Sequence, residues 1–115
     1  MGQGLRASQV KKSTNAIGAL QLLQKAAAKP AASIFKRVRF FELRLKNDCQ
    51  CGVVIPKPYP KALVDRYGFD NLYKVELPDF WRLLYTIVRD GKTRYVVILE
   101  IVDHNAYNKW FPSDH

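Results

Sequence analysis

The stretch LYKVELPDFWRLLYTIVRDGKTRYVVILEIV, residues 72–102, decides the fold. Tyr73, Val75 and Leu77 alternate with Leu72, Lys74 and Glu76, the period of two of a strand buried on one face. Pro78-Asp79 marks a turn. Trp81 to Val88 reads as a second strand, with Trp81, Leu83, Tyr85 and Ile87 on one side and Arg82, Leu84, Thr86 and Val88 on the other. Asp90-Gly91 is a hairpin signal, because glycine tolerates the positive φ of tight β-turns. Tyr95 to Val102 is apolar and β-branched on both sides, as a central strand requires. These three strands form an antiparallel β-meander. Asp103 is placed to cap a short last helix, His104 to Trp110, which Pro112 closes off.

Upstream of the meander the texture differs. Residues 48–60 hold two cysteines, Gly52 and prolines at 56, 58 and 60, so helix cannot continue there and Ile55-Pro56-Lys57 is extended. Lys61 to Tyr67 fits a short helical turn ended by Gly68. Before it, Ile34, Phe35, Val38, Phe41 and Leu45 give one broad apolar face to a helix over Ala31 to Asn47. A first helix from Ser13 or Thr14 to about Lys29 carries Ala16, Leu20, Leu23 and Ala27 at helical spacing, and Pro30 stops it. The two helices read as an antiparallel hairpin. Residues 1–12 show no sustained period, so a loose terminus or a short first strand near Leu5 to Val10 is expected. The remainder, 13–115, is one domain of α+β class: a two-helix hairpin packed on a small antiparallel meander with a short C-terminal helix.

Size and charge bound the function. A chain of 115 residues, 48% apolar and with six Phe, six Tyr and two Trp, buries a core and is no disordered tail. No apolar run approaches the roughly 20 residues of a membrane span. No export signal opens the chain, and Cys49 and Cys51 make no disulfide framework. A soluble cytoplasmic protein with no membrane partner is the expectation. The net charge is +9, and residues 1–50 hold ten basic and two acidic groups against nine and eight in residues 51–115. Almost the whole excess sits in the first half. Such a field attracts polyanions and also solubilises a helix surface.

No Gly-rich phosphate loop, Cys-x-x-Cys pair or His-x-x-x-His occurs, so no cofactor and no metal are expected. The informative group is Arg82, Asp103, His104 and Tyr107. His104 and Tyr107 are three residues apart on the last helix and share a face. Histidine carries a proton near neutral pH, tyrosine can donate one, and arginine neutralises a charging phosphate. Together they suit RNA cleavage by its own 2′-hydroxyl. Lys74 and Glu76, on the neighbouring strand, add a phosphate contact and a general base. The structural alternative is that Tyr107 packs and that Arg82 pairs with Glu76 across strands.

At these residues the chain resembles a known family. The runs YGFDNLYKVELPDFWRLLYTI (67–87) and VVILEIVDHNAYNKWF (96–111) are similar to the archaeal branch of the RelE/ParE superfamily of type II toxins. GVVIPKPYPKALVDRYG (52–68) fits the basic loop that precedes the sheet in that branch. The likeness spans roughly residues 18–112, and its specific parts are Trp81-Arg82-Leu83, Leu84-Tyr85 and Asp103-His104 with Tyr107.

The resemblance implies a small cytoplasmic toxin neutralised by a cognate antitoxin in a hetero-oligomer. RelE-type members cut mRNA on the ribosome, whereas ParE-type members inhibit DNA gyrase without cutting RNA. In the ribonucleases the arginine matched by Arg82 stabilises the transition state. Tyr107 matches a tyrosine that stacks on or protonates the substrate, His104 a histidine used by some members, and Glu76 stands as base. Lys36, Arg37, Arg39, Lys57 and Lys74 would bind RNA. Two positions depart from the pattern: Glu76 stands where the ribonucleases often carry a second lysine, and Asn105-Ala106 follow His104 where a cation is common. A binding-only ParE-like toxin and a basic RNA-binding module remain the alternatives.

Overall fold

The chain runs β1 (Val10–Lys12), α1 (Thr14–Ala26), α2 (Ala31–Asn47), β2 (Val53–Val54), α3 (Lys61–Tyr67), β3 (Tyr73–Glu76), β4 (Arg82–Asp90), β5 (Thr93–Val102) and α4 (His104–Trp110), with a 3-10 turn at Pro78–Phe80. The computed structural model describes residues 5–26 and 28–112. The loose-terminus expectation over residues 1–4, and Ala27 of the first helix's stripe, lie outside them.

The helix signals translate into caps. Ser13 Oγ accepts the Ala16 N–H at 3.0 Å and donates to the Leu99 carbonyl at 2.6 Å, starting α1 and pinning it to β5. Asp103 Oδ1 accepts the Ala106 N–H at 2.9 Å and starts α4. Gly68, at φ 66°, closes α3 in the left-handed conformation, its N–H on the Val64 carbonyl. The first helix ends at Ala26, short of the expected Lys29.

The sheet is larger than the expected meander. Five strands lie in the order β1-β5-β4-β3-β2. The β3-β4-β5 meander is present, with Glu76 opposite Arg82 and Asp90 opposite Thr93. The hairpin loop is therefore Gly91-Lys92, one residue beyond the expected Asp90-Gly91, with Gly91 at φ 64°. The first strand forms at Val10–Lys12, later than the expected Leu5 to Val10, and runs parallel to β5 with Val10 beside Val96. Three residues with two lysines carry no readable alternation. Val53 and Val54 add an antiparallel edge strand on β3.

Both sheet faces are covered. On the first, α1 and α2 bury Leu20, Leu23, Ile34, Val38 and Leu45 against Val75, Leu83, Tyr85, Val96, Ile98 and Ile101. On the second, α3, α4 and the proline-rich loop pack Ile55, Leu63 and Tyr107 against Leu72, Leu84 and Leu99. A bulge shapes this second face: Leu84 pairs with Glu100 and Tyr85 with Ile98, leaving Leu99 extra.

Candidate functional site

Four of the predicted site residues meet on the second face. Arg82 opens β4, where the alternation that buries Leu83 under the helices turns its own side chain the other way. The guanidinium carbon lies 4.9 Å from the Tyr107 ring centroid. Nη1 donates to the Phe80 carbonyl at 2.6 Å, and Nε sits 2.9 Å from Glu76 Oε1. That last contact is an ion pair without hydrogen-bond alignment. Nε is the one buried side-chain nitrogen or oxygen lacking a hydrogen bond among the described residues. Such orphaned donors are rare in native cores and mark places where another partner fits.

Lys74 approaches the same ring from β3, its Nζ 5.4 Å from the Tyr107 centroid and 3.8 Å from Glu76 Oε2. Glu76 thus bridges both cations from the rim, its side chain 57% exposed while those of Arg82 and Lys74 are 13% and 17% exposed. The cross-strand Arg82–Glu76 pair raised as the structural alternative is realised. Tyr107 is 1% exposed, with Phe111 stacked on it at 4.7 Å. Its ring is an underlay for two cations, held by the helix that Asp103 caps.

His104 is exposed at the start of α4, with the Asn108 amide donating to Nε2 at 3.0 Å. Its nearest aromatic neighbour is Phe80, centroids 6.1 Å apart. Phe80 escaped the sequence reading. It is 71% exposed and, like Asp79, sits at positive φ (63° and 61°), where side chains are strained by about 1 kcal/mol or more. The strained turn holds the Phe80 carbonyl on Arg82 and its ring beside His104. The Pro78-Asp79 signal marked a turn without revealing this strain.

The remaining cations are divided. Lys57 is exposed on the proline-rich loop and lines one groove with Lys74. Lys36, Arg37 and Arg39 are exposed on α2, which packs on the opposite face of the sheet and touches the site side at the Pro78–Phe80 turn. Arg37 lies over Phe40 at 4.6 Å, and Arg39 pairs with Glu42 at 3.0 Å. The structure does not gather these three around Arg82.

A second polar cluster was also missed. Glu100, 6% exposed, accepts hydrogen bonds from Tyr67 Oη, Asn15 Nδ2 (3.1 Å) and Arg66 Nη1 (2.9 Å). Burial, then the bond to Glu100, pushes the Tyr67 phenol up. The carboxylate ties α1, α3 and β5 together, a fully partnered buried charge. An acid interrupting the apolar run of β5 was its only signal. Among the described residues, no group of three or more His, Cys, Asp or Glu is arranged to hold a metal, and no helix is long and apolar enough to cross a membrane.

This architecture, with α1 and α2 on one sheet face and α3 and the short terminal helix α4 on the other, is a RelE/ParE-like fold. It is similar to a solved YoeB/ParE toxin from Agrobacterium tumefaciens, with a TM-score of 0.59 at 10% identity, over 84% of this chain and 98% of that one. No protein-family model and no curated protein matches the sequence.

Proposed function

We propose that this chain is the toxin of a type II toxin–antitoxin pair, of RelE type in its archaeal branch, and that it cuts mRNA on the ribosome. The supporting observation is Arg82: a guanidinium carried on Tyr107, with a buried Nε lacking a hydrogen bond, on a RelE/ParE-like fold. A phosphate that displaces Glu76 gains that donor, and Lys74 adds a second cation. Arg82 then stabilises the charge that grows on the non-bridging phosphate oxygens as the 2′-oxygen–phosphorus bond forms and the bond to the 5′-oxygen breaks. Glu76, exposed and beside both cations, accepts the 2′-hydroxyl proton. His104 returns a proton to the leaving 5′-oxygen. The resemblance assigns stacking or protonation to Tyr107; its burial supports the positioning of Arg82 and Lys74. Lys57 binds RNA on the same side, and Lys36, Arg37 and Arg39 attract it from α2. The partners are the ribosome, mRNA and a cognate antitoxin in the cytoplasm.

The test is induction of the wild type and Arg82→Ala, with primer extension on ribosome-bound mRNA. Cleavage should fall by about 100-fold or more in the variant, the scale of losing one transition-state donor. Undiminished growth arrest and cuts would sink the assignment.

A second reading, a ParE-like toxin that acts by binding alone, is favoured by one observation. Glu76 and Phe80 already occupy Arg82, and Tyr107 is covered. It expects no cuts and disturbed DNA supercoiling.

A further inference from the structure

The groove between the proline-rich loop and α4 has two lysines with roles above, Lys57 and Lys74, but its aromatic lining at Tyr59 and Trp110 has none. It has a volume of about 560 Å³ and is lined by Tyr59, Trp110 and Phe111, with Lys57 and Lys74 among its walls. That volume falls in the usual range for ligand pockets, roughly 300–1,000 Å³. Tyr59, Trp110 and Phe111 are half-buried, so each keeps surface for a ligand. Pro56, Pro58 and Pro60 form one wall, and their fixed φ leaves little freedom to lose on binding. Among the described residues that line it there are two lysines and no acid.

The groove is coupled to the candidate centre by a continuous stack. Phe111 lies 4.7 Å from Tyr107, and the same tyrosine ring carries Arg82 at 4.9 Å and Lys74 at 5.4 Å. Lys74 thus belongs both to the groove wall and to the candidate centre, and one aromatic layer separates the groove from Arg82. A ligand with flat apolar faces and a negative backbone suits this combination, which describes a single-stranded nucleic acid.

We propose that this groove is a stacking subsite for an unpaired RNA base next to the cleaved bond, with Trp110 as the platform and Lys57 on the adjoining phosphate. The inference rests on the RNA-cleavage reading for its ligand and concerns residues to which that reading gives no stacking role. An acidic peptide with an aromatic anchor is the competing occupant.

The probe is a 2′-O-methyl RNA hexamer, which has no 2′-hydroxyl with which to cut itself. In full-length Trp81→Phe protein, where Trp110 is the remaining tryptophan, the hexamer should quench emission saturably. Trp110→Leu should weaken binding, read by anisotropy of labelled hexamer, by roughly 10- to 100-fold, the worth of one stacked base. Trp110→Phe, keeping a ring, should recover most of it. That recovery separates stacking from misfolding, with circular dichroism as the check. Lys57→Ala should reduce the salt slope by about one.

Unmoved Trp110 emission, or Trp110→Leu binding within twofold of wild type, would overturn the subsite. Quenching by an acidic peptide but not by the hexamer would overturn it in favour of a protein partner. Cleavage is read separately. Arg82-dependent cuts with an inert groove defeat this proposal alone, and hexamer stacking without cuts defeats the cleavage reading alone.

Discussion

Replacing Tyr85 by Phe removes one oxygen from a side chain that is fully buried between the sheet and the helix pair. That oxygen donates to the Cys49 carbonyl at 2.8 Å and accepts the Gly52 N–H at 3.0 Å, clamping the turn that leads into β2 and the proline-rich loop. Each backbone group left without its partner costs about 1–3 kcal/mol, and Gly52 is only half-buried, so water relieves part of its loss. The expected destabilisation is about 2–4 kcal/mol, which for a domain this size lowers Tm by roughly 8–16 °C. Urea and thermal unfolding followed by circular dichroism measure it. The same substitution changes the alkaline limb. Burial pushes the Tyr85 phenol well above its ordinary value of 10.0, so above that pH the unfolded chain releases a proton that the folded chain keeps. Stability then falls as pH rises, by at most about 1.4 kcal/mol per pH unit for this group, and Tyr85→Phe removes that slope. Gly52→Ala attacks the same clamp, because its Cβ would lie 2.7 Å from the Lys74 carbonyl and 2.9 Å from the Tyr85 hydroxyl. The two substitutions should be strongly non-additive. A loss below about 0.5 kcal/mol in Tyr85→Phe, with the alkaline slope unchanged, would refute the clamp.

Glu76→Gln should alter stability by less than about 0.5 kcal/mol, since the carboxylate is more than half exposed, while abolishing ribosome-dependent cuts if it is the base. Full cleavage by the variant would remove Glu76 from the mechanism. Burial raises the thiols of Cys49 and Cys51, so at pH 8 a disulfide reagent should modify them at least about tenfold more slowly in the folded chain than in urea; equal rates would contradict it. Asp103→Ala should cost about 1 kcal/mol and speed hydrogen exchange in α4 more than in α2, and an unchanged α4 would show that Tyr107 packing alone holds the helix.

What the sequence displayed was whatever repeats with a period. The α2 stripe, the faces of β4 and the Asp103 cap all appear where alternation and spacing put them. Short elements escaped for the same reason. Val10–Lys12 and Val53–Val54 hold too few residues to show a period, and only pairing with β5 and β3 makes them strands. In the site, the Arg82–Glu76 pair was legible as a cross-strand alternative, yet the seating of Arg82 and Lys74 on the Tyr107 ring was not. Tyr107 read as a proton donor and, alternatively, as a packing residue, because one turn of helix does not reveal what covers it. Phe80 and Glu100 were missed because their importance is tertiary: one presents a carbonyl to Arg82, and the other, marked only as an acid in an apolar run, collects donors from two helices.

The two faces differ in how they are held, and that difference bears on the function proposed. The charged first face rests on helices of 13 and 17 residues. The second is covered by helices of seven residues each and the proline-rich loop. A seven-residue helix is far below the length of about 12–15 residues at which isolated helices become even marginal, so α3 and α4 exist through their contacts. Elements of that kind open at lower free energy than the core. The candidate site sits under them, with Tyr107 covered and Arg82 paired to Glu76. A phosphate reaching Arg82 displaces Glu76 from an exposed rim, which costs little, while uncovering the Tyr107 ring requires α4 to shift. The cheaper step leaves the aromatic stack from Tyr107 to Phe111 intact, so substrate engagement through Glu76 displacement preserves the groove beside Trp110. The fold thus permits the cations to change partner without rebuilding the helix that carries them.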